Sequence, residues 1–119
     1  MQVNFVDLKP QYLQIKSEID AAIMGVVEEH AFVLGPQVQA FEEESAAYLG
    51  VKHAIGVSNG SDALYLALLA LGVGPGDEVV TVPHTYIATP EAIHRVGAKI
   101  VFADVHPESW NLDPEKLKA

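Results

Sequence analysis

The chain has 119 residues and half of them are hydrophobic, so it has room for one domain with an apolar core. Its 16 acidic and 7 basic residues give a net charge of −9, which argues against partners such as nucleic acids or an anionic membrane surface. Cysteine is absent, and the N-terminus lacks the basic start and apolar run of a signal peptide. We therefore expect a cytoplasmic protein without disulfide bonds.

The first 50 residues predict a helical arm. Residues 1–10 show no regular pattern, whereas apolar residues recur at helical spacing over Gln11–Glu29, which predicts an amphipathic helix. Pro36 suits the first turn of a second helix and Gly50 suits its end.

Residues 51–119 predict an α/β core of the order βαβαβ, with a parallel sheet. A helix over Ser61–Leu71 is apolar on nearly every face, so we expect it to be buried. The next helix is expected to have Thr89 as its N-cap and Pro90 at its first position, and to end at Gly97. The three predicted strands are Ala54–Ser58, Glu78–Val82 and Ile100–Ala103.

Turns and the chain end add two expectations. The sequence Gly74-Pro75-Gly76-Asp77 predicts a type II turn, because proline stands second and glycine third. Asp113 followed by Pro114 predicts the N-cap of another helix, and the chain stops about one turn later. Three parallel strands would leave both sheet edges open, so we expect an incomplete domain, the N-terminal piece of a larger protein.

The turn between the first strand and the apolar helix is a candidate phosphate site. Free N–H groups converge where a strand runs through a glycine turn into a helix, and the helix dipole favours negative charge there. Gly60 and Ser61 stand at this point, although an ordinary capped turn has the same residues. The loop after the next strand opens at the same sheet edge, so Tyr86 can lie over whatever the phosphate is attached to. Asp62 is interpreted as a first-turn acid whose side chain points away from the phosphate.

Other candidate chemistry is weaker. The five histidines lack metal-ligand spacing, so we expect no metal site, and His84 is interpreted as a solvated loop residue near the phosphate turn. Residues 72–76, Gly-Val-Gly-Pro-Gly, follow a helix and precede a strand, which is the wrong polarity for a dinucleotide-binding loop. A nicotinamide enzyme is therefore a poor second interpretation.

Three strings resemble the DegT/StrS family of sugar aminotransferases, which are fold-type I enzymes dependent on pyridoxal phosphate (PLP). They are GVSNGSDAL at 56–64, LGVGPGDEV at 71–79 and TYIAT at 85–89. The resemblance covers essentially the whole chain. It implies that the chain is the N-terminal part of the large domain of a fold-type I transferase, about the first third of the enzyme.

The resemblance also implies a function. Family members transfer an amino group from an amino acid, usually glutamate, to a keto group on a nucleotide-linked sugar, and they act as homodimers. Gly60 and Ser61 match the positions that hold the cofactor phosphate, and Tyr86 matches the aromatic residue that stacks on the pyridine ring.

The family's Schiff-base lysine and the carboxylate that pairs with the pyridine nitrogen lie beyond residue 119. None of the six lysines present is therefore assigned a catalytic role, and we expect the chain alone to be inactive. Two alternatives remain open. One is another fold-type I enzyme such as a lyase or aldolase, and the other is a non-catalytic relative that regulates or dimerises.

Overall fold

A computed structural model describes residues 5–117, which form two compact units over 5–56 and 57–117. The first unit contains two helices, α1 (Lys9–Glu28) and α2 (Pro36–Leu49), as the sequence predicts. Proline at the first position of α2 needs no hydrogen-bond acceptor for its nitrogen. Gly50 ends α2 with a φ of 66°, a left-handed conformation that glycine adopts at little steric cost.

The predicted first strand over residues 54–58 is wrong for this structure. These residues are in no regular element, and the sheet of the described residues has two strands. A strand requires a neighbouring backbone, and the N–H of Gly56 instead donates a 2.6 Å hydrogen bond to the side-chain Oε1 of Glu42. The βαβαβ order is thus observed from its first helix onward, without its first strand.

The second unit contains four elements before its final turn. They are α3 (Gly60–Ala70), β1 (Glu78–Thr81), α4 (Ala88–Arg95) and β2 (Lys99–Phe102). The two strands pair in parallel, with Glu78 opposite Lys99 and Thr81 opposite Phe102. The parallel sheet predicted from the alternation of helices and strands is confirmed for these two strands.

The core of the second unit is centred on α4 and not on α3. Ile93 of α4 is 2% exposed and packs with Val96 and Ala98, while Tyr65 and Leu68 of α3 are half-buried against this cluster. The prediction that α3 is buried all round is therefore wrong for the described residues. Because α3 packs against α4 along one face, its three other leucines are 43–45% exposed: Leu64, Leu66 and Leu69.

The turns follow the local sequence closely. The N–H of Asp77 donates to the carbonyl of Gly74 at 3.1 Å and Gly76 has a φ of 100°, which confirms the predicted type II turn. Asp113 accepts a 3.0 Å hydrogen bond from the N–H of Glu115, as expected of an N-cap. The helix that follows, Pro114–Leu117, is a 3-10 helix.

The start of α4 differs from the prediction. Thr89 lies inside the helix, where its N–H donates to the carbonyl of Tyr86 at 3.1 Å. Its hydroxyl pairs with that of Thr85 at 3.1 Å, so it does not cap the helix. The end is as predicted, because Gly97 has a φ of 82° and its N–H donates to the carbonyl of His94 at 2.9 Å.

Candidate phosphate and cofactor site

The start of α3 presents two backbone donors. Asn59 is the N-cap, and its side-chain oxygen accepts a 2.9 Å hydrogen bond from the N–H of Asp62. No described residue accepts a hydrogen bond from the N–H of Gly60 or of Ser61. A Cβ built on Gly60 would meet no described atom within 4 Å apart from its chain neighbours and its own helix backbone, so there is open space beside this residue. Two free donors at the positive end of a helix dipole form an anion-binding arrangement.

Asp62 is the acidic residue of this turn, and protein donors engage its carboxylate. Oδ2 accepts hydrogen bonds from the Ser58 hydroxyl and from Asn59 Nδ2, the latter at 2.9 Å. Oδ1 accepts a 3.1 Å hydrogen bond from Arg95 Nη1. The hydrogen bond from Ser58, followed by that from Arg95, holds the pKa of Asp62 below its ordinary value. Asp62 is therefore ionised and paired next to the two free donors.

Arg95, the only arginine of the chain, was not among the site residues predicted from the sequence. It lies in the last turn of α4, and its guanidinium is 4.1 Å from the centroid of the Tyr65 ring on α3. Arg95 and Asp62 are 33 residues apart, so no local spacing pairs them. The one signal in the sequence was that a strongly acidic chain contains a single arginine.

Tyr86 lies in the loop between β1 and α4 and is 76% exposed. Among residues 5–117 its ring has no hydrogen-bond or ring partner. The structure thus brings Gly60 and Ser61 together on one helix start, and Tyr86 has no hydrogen bond to either of them. In the same loop, His84 is exposed, as the sequence predicted, and its ring lies 5.4 Å from the ring of Trp110.

Two of the described lysines pair with carboxylates. Lys16 pairs with the Asp20 carboxylate, and the hydrogen bond between them raises the pKa of Lys16, whereas a nucleophilic lysine needs a lowered pKa. Lys99 Nζ pairs with Glu78 at 2.6 Å, and Lys118 lies outside the described residues. Over residues 5–117 no three potential ligands among histidine and acidic side chains group as a metal site would require. Across the same range, no helix has the length and apolar character to span a membrane.

The sequence identifies the class of protein. A profile of the DegT/DnrJ/EryC1/StrS aminotransferase family matches residues 13–119, which is most of the chain. The chain belongs to this family, and its fold is that of the N-terminal portion of fold-type I aminotransferases. The family resemblance inferred from the three sequence strings is confirmed.

Individual relatives agree with this assignment. The chain is 46% identical over 117 residues to the UDP-2-acetamido-2-deoxy-3-oxo-D-glucuronate aminotransferase of Pseudomonas aeruginosa, a match that covers 98% of the chain and 33% of the relative. A DegT DnrJ EryC1 StrS aminotransferase from Brucella abortus superposes with a TM-score of 0.92 and 43% identity. This match covers 99% of the present chain and 32% of the Brucella chain. Bacillus subtilis NtdA with bound cofactor PMP superposes with a TM-score of 0.86 and 30% identity. This match covers 99% of the present chain and 28% of NtdA. The chain thus spans about a third of the length of these proteins.

Proposed function

We propose that the full-length protein containing this chain is a PLP-dependent aminotransferase. It moves an amino group from an amino acid, most simply glutamate, to a keto group on a nucleotide-linked sugar. Support comes from family membership and from the P. aeruginosa relative, whose name states an oxo-sugar nucleotide as its substrate. The B. subtilis protein adds support because it carries PMP, the amine form of PLP. We further propose that the enzyme is a cytoplasmic homodimer.

The observation that carries the proposal is the pair of free donors at the start of α3. The N–H groups of Gly60 and Ser61 and the hydroxyl of Ser61 fit a phosphate monoester, which has several strong acceptor oxygens. The absence of a side chain on Gly60 leaves space for close approach. These residues hold the cofactor by its phosphate.

Tyr86 is proposed to fix the plane of the cofactor ring. Its exposed ring has a free face in the described chain, and stacking of a flat aromatic side chain on a pyridine ring gains dispersion energy. When bound, PLP supplies the electron sink for amino transfer. The residues of this chain bind and orient it, while the lysine and the pyridine-nitrogen carboxylate are supplied from beyond residue 119.

The test uses the full-length protein. We expect an absorbance band typical of lysine-bound PLP that is lost on borohydride reduction, and formation of 2-oxoglutarate from glutamate when a keto-sugar nucleotide is supplied. Addition of glutamate alone should convert bound PLP to PMP. Bound PLP that glutamate leaves unchanged would favour the lyase or aldolase alternative, and absence of PLP binding would favour the regulatory one.

The roles of single residues are tested by cofactor retention. Tyr86→Ala and Ser61→Ala should each lose PLP faster than wild type on dialysis, because each removes a contact with the ring or the phosphate. Lys52→Ala is the matched control, since Lys52 is not in the proposed site, and it should retain PLP like wild type. Equal loss from Tyr86→Ala, Lys52→Ala and wild type would contradict the placement of Tyr86.

A further inference from the structure

We propose that Arg95 is a positioning residue for the cofactor phosphate: it neutralises and holds Asp62, so that the start of α3 can accept a dianion. This inference rests on the proposed function. Arg95 has no assigned contact with the cofactor. It acts through the acidic residue that follows Ser61 in the chain.

The carboxylate of Asp62 needs a cation beside it if the start of α3 is to bind a phosphate dianion. Asp62 is the third residue of α3, next to the free donor of Ser61, and its carboxylate is ionised. An ionised carboxylate near a phosphate dianion repels it, and this opposes the attraction of the helix N-terminus. The guanidinium of Arg95 contacts Asp62 Oδ1 at 3.1 Å and is the only cation that pairs with Asp62 in the described chain. The pair has a net charge of zero, so the attraction of the backbone donors prevails.

The position of Arg95 is fixed from two sides. One nitrogen of its guanidinium bonds to Asp62, and the group lies 4.1 Å from the centroid of the Tyr65 ring. Tyr65 is on the same helix as Asp62, so Arg95 of α4 contacts α3 at both points. The Arg95 side chain is 40% exposed and that of Asp62 is 30% exposed. Because both side chains are partly exposed, solvent and salt screen the attraction between them. The effect of Arg95 on phosphate binding is therefore moderate and sensitive to salt.

A purely structural role for Arg95, in which it only joins α3 to α4, predicts a different effect of its loss on cofactor binding. If Arg95 only joined the helices, its loss would weaken binding of every form of the cofactor, and removing the charge of Asp62 would not restore it. If Arg95 offsets a negative charge, only ligands that carry the phosphate are affected. Removing the charge of Asp62 should then compensate for the loss of Arg95.

The experiment measures dissociation constants for PLP and for pyridoxal, which lacks the phosphate, on the apo form of the full-length protein. The variants are Arg95→Met, Arg95→Lys, Asp62→Asn and the double variant Arg95→Met/Asp62→Asn. Lys99→Met is the matched control, because it breaks an exposed ion pair with Glu78 in the same unit. Each variant is measured at low and at high salt.

We expect Arg95→Met to raise the Kd for PLP about fivefold at low salt, the upper end of the effects of exposed ion pairs. The Kd for pyridoxal should not change, and high salt should reduce the difference. Arg95→Lys, which keeps the charge, should lie close to wild type. Asp62→Asn should bind PLP at least as tightly as wild type, and it should restore affinity in the double variant.

Three results would overturn the inference. They are equal losses for PLP and pyridoxal, an Asp62→Asn variant that binds PLP more weakly than wild type, and a double variant no better than Arg95→Met. The Asp62→Asn and Arg95→Lys measurements keep the inference testable if Arg95→Met does not fold. A wild-type protein that binds neither ligand would instead refute the proposed function and, with it, this inference.

Discussion

At the scale of single residues, the neighbours of Asp62 determine the charge of its carboxyl group at the start of α3. Its folded pKa is lowered, first by the Ser58 hydroxyl and then by Arg95. A group with a lowered folded pKa stabilises the protein above its unfolded pKa, and this contribution is lost as the pH falls through the folded value. The turn therefore keeps its ion pair throughout the neutral range and loses it only in acid below the ordinary pKa of an aspartate.

The pKa of Asp62 can be measured directly by NMR titration of its carboxyl carbon. Ser58→Ala and Arg95→Met should each raise this pKa, and Ser58→Ala should raise it more because its hydrogen bond is the larger cause. Asp20 is an internal control, since its low pKa comes from Lys16 and should not move. A pKa of Asp62 that stays constant or falls in both variants would contradict the hydrogen-bond network described here.

The sequence could predict part of the candidate site. Gly60 and Ser61 could be predicted from the local sequence alone, because a glycine turn that enters a helix exposes N–H groups whatever packs nearby. Arg95 could not be found in this way, since its contact with Asp62 spans 33 residues and depends on how α3 packs against α4. The role of Tyr86 rests on the family resemblance, because the described residues give its ring no partner.

At the scale of elements, the glycine that ends α4 is a sensitive position. Gly97 has a φ of 82°, and a Cβ there would lie 3.0 Å from Pro75 Cγ. Gly97→Ala should reduce the free energy of unfolding of the full-length protein by about 1–2 kcal/mol, the cost of a left-handed residue with a side chain. The measurement is urea denaturation followed by circular dichroism.

Gly25→Ala is the matched control for this prediction. Gly25 lies inside α1, and a Cβ there would meet no described atom within 4 Å apart from its chain neighbours and its own helix backbone. Alanine should therefore increase stability by about 0.5–1 kcal/mol, because it restricts the unfolded chain. If both substitutions change stability in the same direction, the backbone argument at Gly97 is wrong.

Elements bounded by proline and glycine were predictable, whereas elements that need distant partners were not. Pro36, Gly50 and Gly97 act through their own backbone chemistry, so the bounds of α2 and the end of α4 follow from the sequence. The strand expected at residues 54–58 requires a neighbouring strand, which the described chain does not provide. Thr89 failed as a cap because the helix begins before it, at Ala88, and its hydroxyl pairs with that of Thr85.

At the scale of the whole molecule, both units expose apolar helix faces. In the first unit no residue of α1 or α2 is buried within the described structure, and in the second α3 exposes several leucines. The hydrophobic pattern predicted which helices have apolar faces. It did not predict what covers them, because cover depends on residues outside their own element.

We expect the isolated 119-residue chain to self-associate and to exchange its α3 amides rapidly, because exposed apolar faces and open strand edges promote association. It should retain no PLP on a desalting column and show no amino transfer from glutamate. Sedimentation, hydrogen exchange and absorbance test these points. A monomer with slow exchange in α3, or stoichiometric PLP reducible by borohydride, would contradict the prediction.

The most direct test of the central claim is a crystal structure of the full-length protein with PLP bound. We predict phosphate oxygens at hydrogen-bond distance, about 2.9 Å, from the backbone nitrogens of Gly60 and Ser61. The ring of Tyr86 should lie parallel to the pyridine ring, and Arg95 should remain paired with Asp62. A phosphate bound elsewhere, with these two nitrogens hydrogen-bonded only to solvent, would contradict the account.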